Sequence, residues 1–211
     1  MQNIQHFIWD FDGTLFDTYP IIIGSLRSVL QEHGHDCDPL EAMKLMLTNI
    51  PTARNHYAAH YGISRDVLSE AHADRTRKAI AKLTAPPFPG VREVLERICV
   101  TGRHNYVYTH RDDKETILYL KEYGLYDFFE EVIGPTAPRF APKPAPDSVL
   151  YLMEKYGMSA ETTAMVGDRE CDLASGRNAG IKAVHFVCAE VPEDLACDWR
   201  INRFSEMLEL L

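Results

Sequence analysis

Beyond residue 90, segments with the pattern of β-strands alternate with segments with the pattern of helices. Short apolar runs rich in branched and aromatic side chains indicate the strands, and apolar residues at helical spacing indicate the helices. The predicted strands of this part cover residues 106–109, 129–133, 163–166, 182–187 and 199–201. Such alternation is typical of parallel sheets with crossover helices. We therefore predict an α/β fold with a doubly wound, Rossmann-like parallel sheet.

One further strand, Phe7-Ile8-Trp9, lies far ahead of the others in the chain. Residues 17–84, which follow it, have helical periodicity and contain no convincing strand. A proline-rich linker at 85–90 then separates this stretch from the alternating strands and helices. The predicted organisation is an α/β core of residues 1–16 and 85–211, with an all-helical domain of residues 17–84 inserted between its first and second strands.

Charge and cysteine content narrow the possible partners and the compartment. The 211-residue chain has a net charge of -9, which argues against nucleic acid or an anionic membrane surface as the partner. Its five cysteines are odd in number and include no C-x-x-C pair, as expected for reduced thiols. No apolar segment approaches the roughly 18 residues of a membrane span. We expect a cytoplasmic protein, and the sequence does not indicate its oligomeric state.

Two carboxylates, Asp10 and Asp12, directly follow the first strand. Alternate residues of a strand point to the same side, so both acids face one space. Gly13 then allows a sharp change of direction, because glycine accepts backbone angles that other residues resist. Two crowded acids at the end of a buried strand need a cation between them, or a pKa shift that keeps one protonated. The alternative is an ordinary solvated turn, in which Asp and Gly are common.

Other predicted strands also end in polar residues, and ligands of open α/β sheets bind at these carboxyl ends. Thr109 and His110 follow the second strand, while Asp168 and, one helical turn later, Asp172 follow the fourth. A proline-rich loop between the third and fourth strands adds Lys143. Carboxylate oxygens suit Mg2+, which shares its shell with a substrate phosphate, and lysine suits a phosphoryl oxygen. The alternative is a set of ordinary strand-end, capping and surface residues.

Four of these segments resemble the motifs of one family, the haloacid dehalogenase-like superfamily. In chain order they are DFDGTL at 10–15, Tyr108-Thr109 at a strand end, Lys143 within PKPAPD, and GDRECD at 167–172. One motif would be weak evidence, but four in the family's order make the resemblance specific across the whole chain. It implies a phosphatase similar to the phosphoglycolate phosphatase branch. The inserted helical domain would be a small cap that closes over the site and excludes water.

The resemblance implies roles for the two acids of the first motif. Asp10 would be the nucleophile, forming an aspartyl-phosphate that divides one difficult displacement into two easier ones. Asp12 would protonate the leaving alkoxide and then activate the water that hydrolyses the intermediate. Family members that cleave carbon–halogen bonds or phosphonates lack an acid at this position, so Asp12 favours phosphate esters.

The resemblance also implies a Mg2+ site. Asp10, the backbone carbonyl of Asp12 and Asp168 would hold the ion, with Asp172 in its outer shell. The fourth motif departs from the family's commonest form, in which Ser or Thr follows the Gly-Asp pair. Arg169 stands there instead, and it could pair with a neighbouring acid or with the cap.

A phosphate site is implied as well. Thr109, Lys143 and the backbone amide of His110 would bind the transferring phosphoryl group, and Lys143 would also steady the nucleophile. Arg111 and Lys114, which come next in the chain, are expected to be solvated charges at the start of a helix.

Three functions remain open at this point. The first is a Mg2+-dependent phosphatase acting on a small phosphorylated metabolite. The second is a phosphosugar mutase on the same scaffold, but such mutases typically carry a histidine shortly after the first motif, where this chain has Thr18-Tyr19-Pro20. The third is a non-catalytic binding protein, which the intact set of acids and lysine disfavours. Hydrolysis is the favoured interpretation, and the identity of the substrate stays open.

Overall fold

The computed structural model describes residues 1–135, 140–189 and 194–211. It divides into two compact units, one made of Met1–Asp17 and Pro86–Leu211 and the other of Thr18–Ala85. The predicted domain limits, at 16/17 and 84/85, each lie one residue before these. Part of the proline-rich loop, residues 136–139, lies outside the described residues.

The described residues of the first unit form a six-stranded sheet in which neighbouring strands are parallel. The strands are β1 (His6–Trp9), β2 (His104–Tyr108), β3 (Phe129–Ile133), β4 (Thr163–Gly167), β5 (Lys182–Phe186) and β6 (Trp199–Ile201), in the spatial order β3-β2-β1-β4-β5-β6. This architecture confirms the predicted parallel sheet. Trp9, at the end of β1, is paired with Val107 of β2 and Val166 of β4. The three strands therefore end side by side.

The second unit, Thr18–Ala85, consists of helices joined by short turns. They are α1 (Tyr19–Glu32), α2 (Pro39–Thr48), α3 (Ile50–Tyr61) and α4 (Arg65–Ile80). Two begin at capping side chains: Asp38 accepts a hydrogen bond from the Glu41 amide at 2.9 Å, and Asn49 accepts one from the Thr52 amide at 2.7 Å. Each cap satisfies a backbone donor that the helix itself leaves unpaired.

A buried histidine links three of these helices. His72 of α4 donates from Nε2 to the carbonyl oxygen of Ile22 in α1 at 2.9 Å, and its Nδ1 accepts from Nε of Arg54 in α3 at 2.9 Å. A carbonyl oxygen only accepts, so the proton of this neutral imidazole lies on Nε2. Burial lowers the pKa of His72 to about 4 despite the hydrogen bond to Ile22, and the charge of Arg54 adds to the shift. The histidine is therefore neutral at pH 7.

Helices flank the sheet, and β1 is buried on both of its faces. The helices of this unit are α5 (Val91–Val100), α6 (Asp113–Glu122), α7 (Asp147–Tyr156), α8 (Glu170–Asn178) and α9 (Phe204–Leu210). A strand covered on both faces needs a continuous apolar run, and Phe7, Ile8 and Trp9 have no exposed surface. The Trp9 indole donates to Asn105 Oδ1 at 2.9 Å, and its ring stacks on Phe204. This core fixes the position from which the chain leaves β1.

None of the helices formed by the described residues combines the length and the apolar character that a membrane crossing requires.

Candidate active site at the carboxyl ends of the strands

The first motif forms a tight loop at the end of β1. Asp10 continues the pairing of β1 with β4, since its backbone amide donates to the Val166 carbonyl at 2.8 Å. The residue is 1% exposed. Gly13 then adopts a φ of 80°, the left-handed region that glycine enters without strain. The carbonyl of Phe11 accepts from the amide of Phe16 at 3.0 Å, which closes the loop. The loop therefore holds the proposed nucleophile inside the protein, next to the exits of neighbouring strands.

Lys143 connects two of the predicted site residues. Its Nζ lies 2.6 Å from Asp10 Oδ1 and 2.7 Å from Asp172 Oδ1, and the lysine side chain is fully buried. The ammonium also lies 4.7 Å from the centre of the Tyr108 ring, whose face favours a cation. Removing one partner of such a buried pair typically costs about 3–5 kcal/mol, because a charge is left without compensation. Lys143 therefore lies buried between two carboxylates, as expected for a site residue, and the alternative of an ordinary surface lysine is wrong.

Asp172 is held from two sides. Its Oδ1 accepts from Lys143, and its Oδ2 accepts from the backbone amide of Arg169 at 3.1 Å. The Arg169 guanidinium lies next to the same carboxylate, with Nε 3.8 Å from Oδ2. Of the alternatives that the sequence left open for Arg169, the structure therefore shows pairing with a neighbouring acid. Because protein donors engage both oxygens of Asp172, this residue is suited to holding Lys143 in place.

Burial and charge make the two acids that share Lys143 unequal. Burial, and then the nearby charge of Asp172, raise the pKa of Asp10 to about 6, although Lys143 opposes the shift. Burial acts in the same direction on Asp172, but Lys143 and Arg169 outweigh it and lower the pKa of that carboxyl. A single lysine therefore does not stabilise both buried carboxylates fully, and the site favours a further cation next to Asp10.

The acid cluster fits a divalent metal. Asp10, Asp168 and Asp172 each offer a carboxylate oxygen, and these oxygens lie within 4.8 Å of one another. Among the described residues, Oδ2 of Asp10 is buried and has no hydrogen-bond partner. Asp168 Oδ1 accepts from the Thr14 hydroxyl at 3.1 Å, which orients that carboxylate. Three carboxylates that bring hard oxygen donors this close together are suited to Mg2+.

The second motif lies just past the end of β2. The expected strand included Thr109, but β2 ends at Tyr108, and the Thr109 amide donates to the Ile133 carbonyl at 2.9 Å. Thr109 is 2% exposed, and its hydroxyl oxygen accepts from the Arg111 amide at 3.0 Å. His110 is exposed, and partial desolvation followed by the charges of Lys143 and Arg169 lowers its pKa. Its imidazole is therefore neutral at pH 7.

Arg111 is a site residue that the sequence reasoning missed. Its Nε lies 3.2 Å and 3.1 Å from the two oxygens of Asp12, and its Nη2 lies 2.5 Å from Asp12 Oδ1. The arginine side chain is 9% exposed, so the expectation of a solvated helix-start charge is wrong. The physical reason is that Asp12, at the neighbouring strand exit, supplies the opposite charge that makes burial of the guanidinium tolerable. The sequence did contain one indication of this pair, because the crowded acids Asp10 and Asp12 need a nearby cation.

The chain has relatives among known proteins. A family model described as haloacid dehalogenase-like hydrolase matches residues 7–186. A phosphoglycolate phosphatase of Caulobacter vibrioides is 31% identical over 210 residues, which cover 94% of this chain and 87% of that relative. A phosphoglycolate phosphatase of Thiobacillus denitrificans is 28% identical over 196 residues, which cover 84% of this chain and 80% of that relative.

Solved structures share the fold. One from Haemophilus somnus, described as a predicted phosphoglycolate phosphatase, superimposes with a TM-score of 0.84 over 100% of this chain and 99% of that one. Its sequence is 21% identical to this chain, so the likeness bears on the fold alone.

Proposed function

Because the chain belongs to the haloacid dehalogenase-like hydrolase family, we propose that it is a Mg2+-dependent phosphatase that hydrolyses a small phosphorylated metabolite. Membership confirms the prediction of an enzyme of the hydrolase class. Relatives named phosphoglycolate phosphatase support phosphate-ester hydrolysis in particular. The observation that carries the proposal is the state of Asp10, whose Oδ1 is fixed by Lys143 at 2.6 Å while its buried Oδ2 has no partner among the described residues.

In the first step, Asp10 Oδ2 attacks the phosphorus atom of the substrate. The new bond between Oδ2 and phosphorus forms as the bond from phosphorus to the ester oxygen breaks. The leaving alkoxide takes a proton from the Asp12 carboxyl group and departs as an alcohol. Lys143, which pairs with Asp10 Oδ1, holds the carboxylate so that the second oxygen is the one that reacts.

In the second step, Asp12 takes a proton from a water molecule. The resulting hydroxide attacks the phosphorus of the aspartyl-phosphate, and the bond between phosphorus and Asp10 Oδ2 breaks. The products are inorganic phosphate and the original Asp10 carboxylate. The same side chain thus acts as the acid in the first step and as the base in the second, because the first step leaves Asp12 deprotonated.

The phosphoryl group would be bound by Lys143 and Thr109. The Thr109 oxygen accepts a hydrogen bond from the Arg111 amide at 3.0 Å, which leaves the hydroxyl proton to be donated to a phosphoryl oxygen. The backbone amide of His110 is the third proposed donor. Phosphoryl transfer depends mainly on positioning and on neutralising charge, and these groups would supply both.

Mg2+ would be held by Asp10, Asp168 and the backbone carbonyl of Asp12. When bound, the ion would neutralise charge on the phosphoryl oxygens. Asp172, engaged by Lys143 and Arg169, would act behind these ligands rather than among them. We further propose that the helical unit Thr18–Ala85 is the cap that excludes water from the reaction. The free state of all five cysteines is in line with a cytoplasmic location.

A panel of phosphate esters tests the proposed function. It would contain p-nitrophenyl phosphate, phosphoglycolate and other short phosphorylated acids, sugar phosphates and nucleotides, with analysis of both products. Release of inorganic phosphate with the matching alcohol supports a phosphatase, whereas an isomerised sugar phosphate without phosphate release would indicate the mutase. Absence of turnover on every ester would contradict both.

Two variants complete this test. Asp10→Asn should abolish phosphate release, because the amide is a poor nucleophile, while the fold is retained. Asp66→Asn, which removes one exposed carboxylate from the first turn of α4, is the matched control and should keep full activity.

A further inference from the structure

Arg111 is fixed from several sides next to Asp12. Two of its nitrogens contact the Asp12 carboxylate, and a third, Nη1, lies 3.5 Å from Glu115 Oε2. The guanidinium carbon lies 5.7 Å from the centre of the Phe11 ring. The backbone amide of Arg111 donates to Thr109 Oγ1. A long side chain held in this way has little remaining rotational freedom, so it presents a fixed fork to Asp12.

The pair joins two loops that the sheet brings together. Asp12 lies three residues beyond Trp9 in β1, and Arg111 lies four residues beyond Val107 in β2, and those two strand residues are paired. The Asp12 side chain follows a strand end and is 20% exposed, whereas Asp10 is 1% exposed. A two-point contact with a planar guanidinium fixes both the place and the plane of a carboxylate, which a single ammonium contact does not.

We propose that Arg111 is the positioning residue of the Asp12 acid/base group. This inference rests on the proposed function, because it assigns Arg111 to the proton-transfer steps of that reaction. All three guanidinium nitrogens already contact Asp12 or Glu115, and the side chain is 9% exposed. Arg111 therefore acts through Asp12 and does not bind the substrate. Its removal leaves the proposed nucleophile and its lysine in place but takes away the two-point contact that sets the plane of the Asp12 carboxylate.

Three separately measured steps distinguish positioning from general support of the fold. Phosphorylation of the enzyme by p-nitrophenyl phosphate needs no proton from Asp12, because p-nitrophenolate is a stable leaving group. Phosphorylation by an alkyl ester such as glycerol phosphate does need that proton, and hydrolysis of the phosphoenzyme needs Asp12 as the base. Rapid-quench measurement on the full chain with Mg2+ gives the three rates.

Arg111→Gln should leave the first rate unchanged and lower the other two by about 10²-fold, the typical effect of displacing a reacting group by about 1 Å. Asp12→Asn should lower the same two rates at least as much. The double variant should be no slower than Asp12→Asn, because Arg111 has nothing left to position. Arg111→Lys, which keeps the charge but loses the fork, should be intermediate. Lys114→Gln, an exposed charge at the start of α6, is the matched control and should keep all three rates.

Other outcomes overturn the inference. If Arg111→Gln lowers all three rates together, the residue supports the site as a whole. If its effect persists in the Asp12→Asn background, it does not act through Asp12. Unchanged rates would show that the pair has no role in catalysis. A wild-type protein that forms no phosphoenzyme would instead remove the proposed function itself, so the two failures are distinguishable.

Discussion

Gly167, the last residue of β4, allows Asp172 to approach the strand closely. A Cβ atom added at Gly167 would lie 2.3 Å from Asp172 Cβ and 2.9 Å from its Cγ. Non-bonded carbon atoms pack at about 3.5–4.0 Å, so Gly167→Ala would force the two residues apart by about 1 Å or more. The obstructing atoms are the base of a buried side chain and not a flexible end. The substitution is therefore expected to move the Asp172 carboxylate.

The consequence for activity follows from the contacts of Asp172. Its Oδ1 contacts Lys143 Nζ, and the same Nζ contacts the proposed nucleophile Asp10. Displacing catalytic side chains by about 1 Å can lower the rate by about 10²-fold. We therefore expect the kcat of Gly167→Ala to fall by about that factor. The added methyl group should also destabilise the fold by about 1–3 kcal/mol, the usual cost of overpacking a core.

The matched control is Gly176→Ala in α8. Its added Cβ would lie 2.8 Å from Met165 Cβ, so it also overpacks the core, but the three nearest atoms that it would meet belong to Met165, Ile181 and Lys182, none of which is a proposed site residue. Phosphate release should be measured with p-nitrophenyl phosphate at saturating Mg2+, at a temperature at which urea unfolding shows that both variants are folded. Gly167→Ala should lose kcat and Gly176→Ala should keep it. Equal kcat values in the two variants would refute the coupling of Asp172 to the nucleophile.

Two further predictions concern pH and metal. The pKa of His72 is about 4 in the folded protein and about 6.5 in the unfolded chain. As the pH falls, the unfolded chain therefore binds a proton at His72 before the folded protein does. The free energy of unfolding should decrease by up to about 3 kcal/mol between pH 6.5 and 4 for this reason. Urea unfolding should show this decrease reduced in His72→Gln, which does not titrate, and an identical pH dependence in both proteins would contradict it. EDTA should abolish phosphate release, Mg2+ should restore it, and Mg2+ should raise the Tm of the wild type more than that of Asp168→Asn. Full turnover after metal removal would show that the acid cluster is not a catalytic metal site.

The sheet and the placement of its polar ends could be predicted because both follow from local pattern. Apolar runs and helical periodicity indicate the elements, and the rule that ligands bind at the carboxyl ends of parallel strands selects Asp10, Thr109 and Asp168. The strand paths bring these residues together as expected. Their catalytic roles stay predictions that the experiments above address.

The contacts between side chains were not predictable in the same way. Arg111 and Asp12 are 99 positions apart, and their pairing depends on the register of β1 with β2. An arginine at the start of a helix is usually solvated, so residue type and local sequence favoured the wrong environment. The link between Lys143 and Asp172 likewise spans 29 positions. Local sequence specifies the elements, whereas these ion pairs arise only once the sheet has assembled.

The most direct test of the proposed mechanism is to locate the phosphoryl group during turnover. The wild-type protein would be mixed with Mg2+ and a good substrate, quenched in acid within milliseconds, digested with a protease and mapped by mass spectrometry. The proposed mechanism predicts one phosphoryl group on Asp10, which forms and decays at rates compatible with kcat and is absent from Asp10→Asn. Phosphate release at the full rate from Asp10→Asn, or a phosphoryl group on another residue, would contradict it.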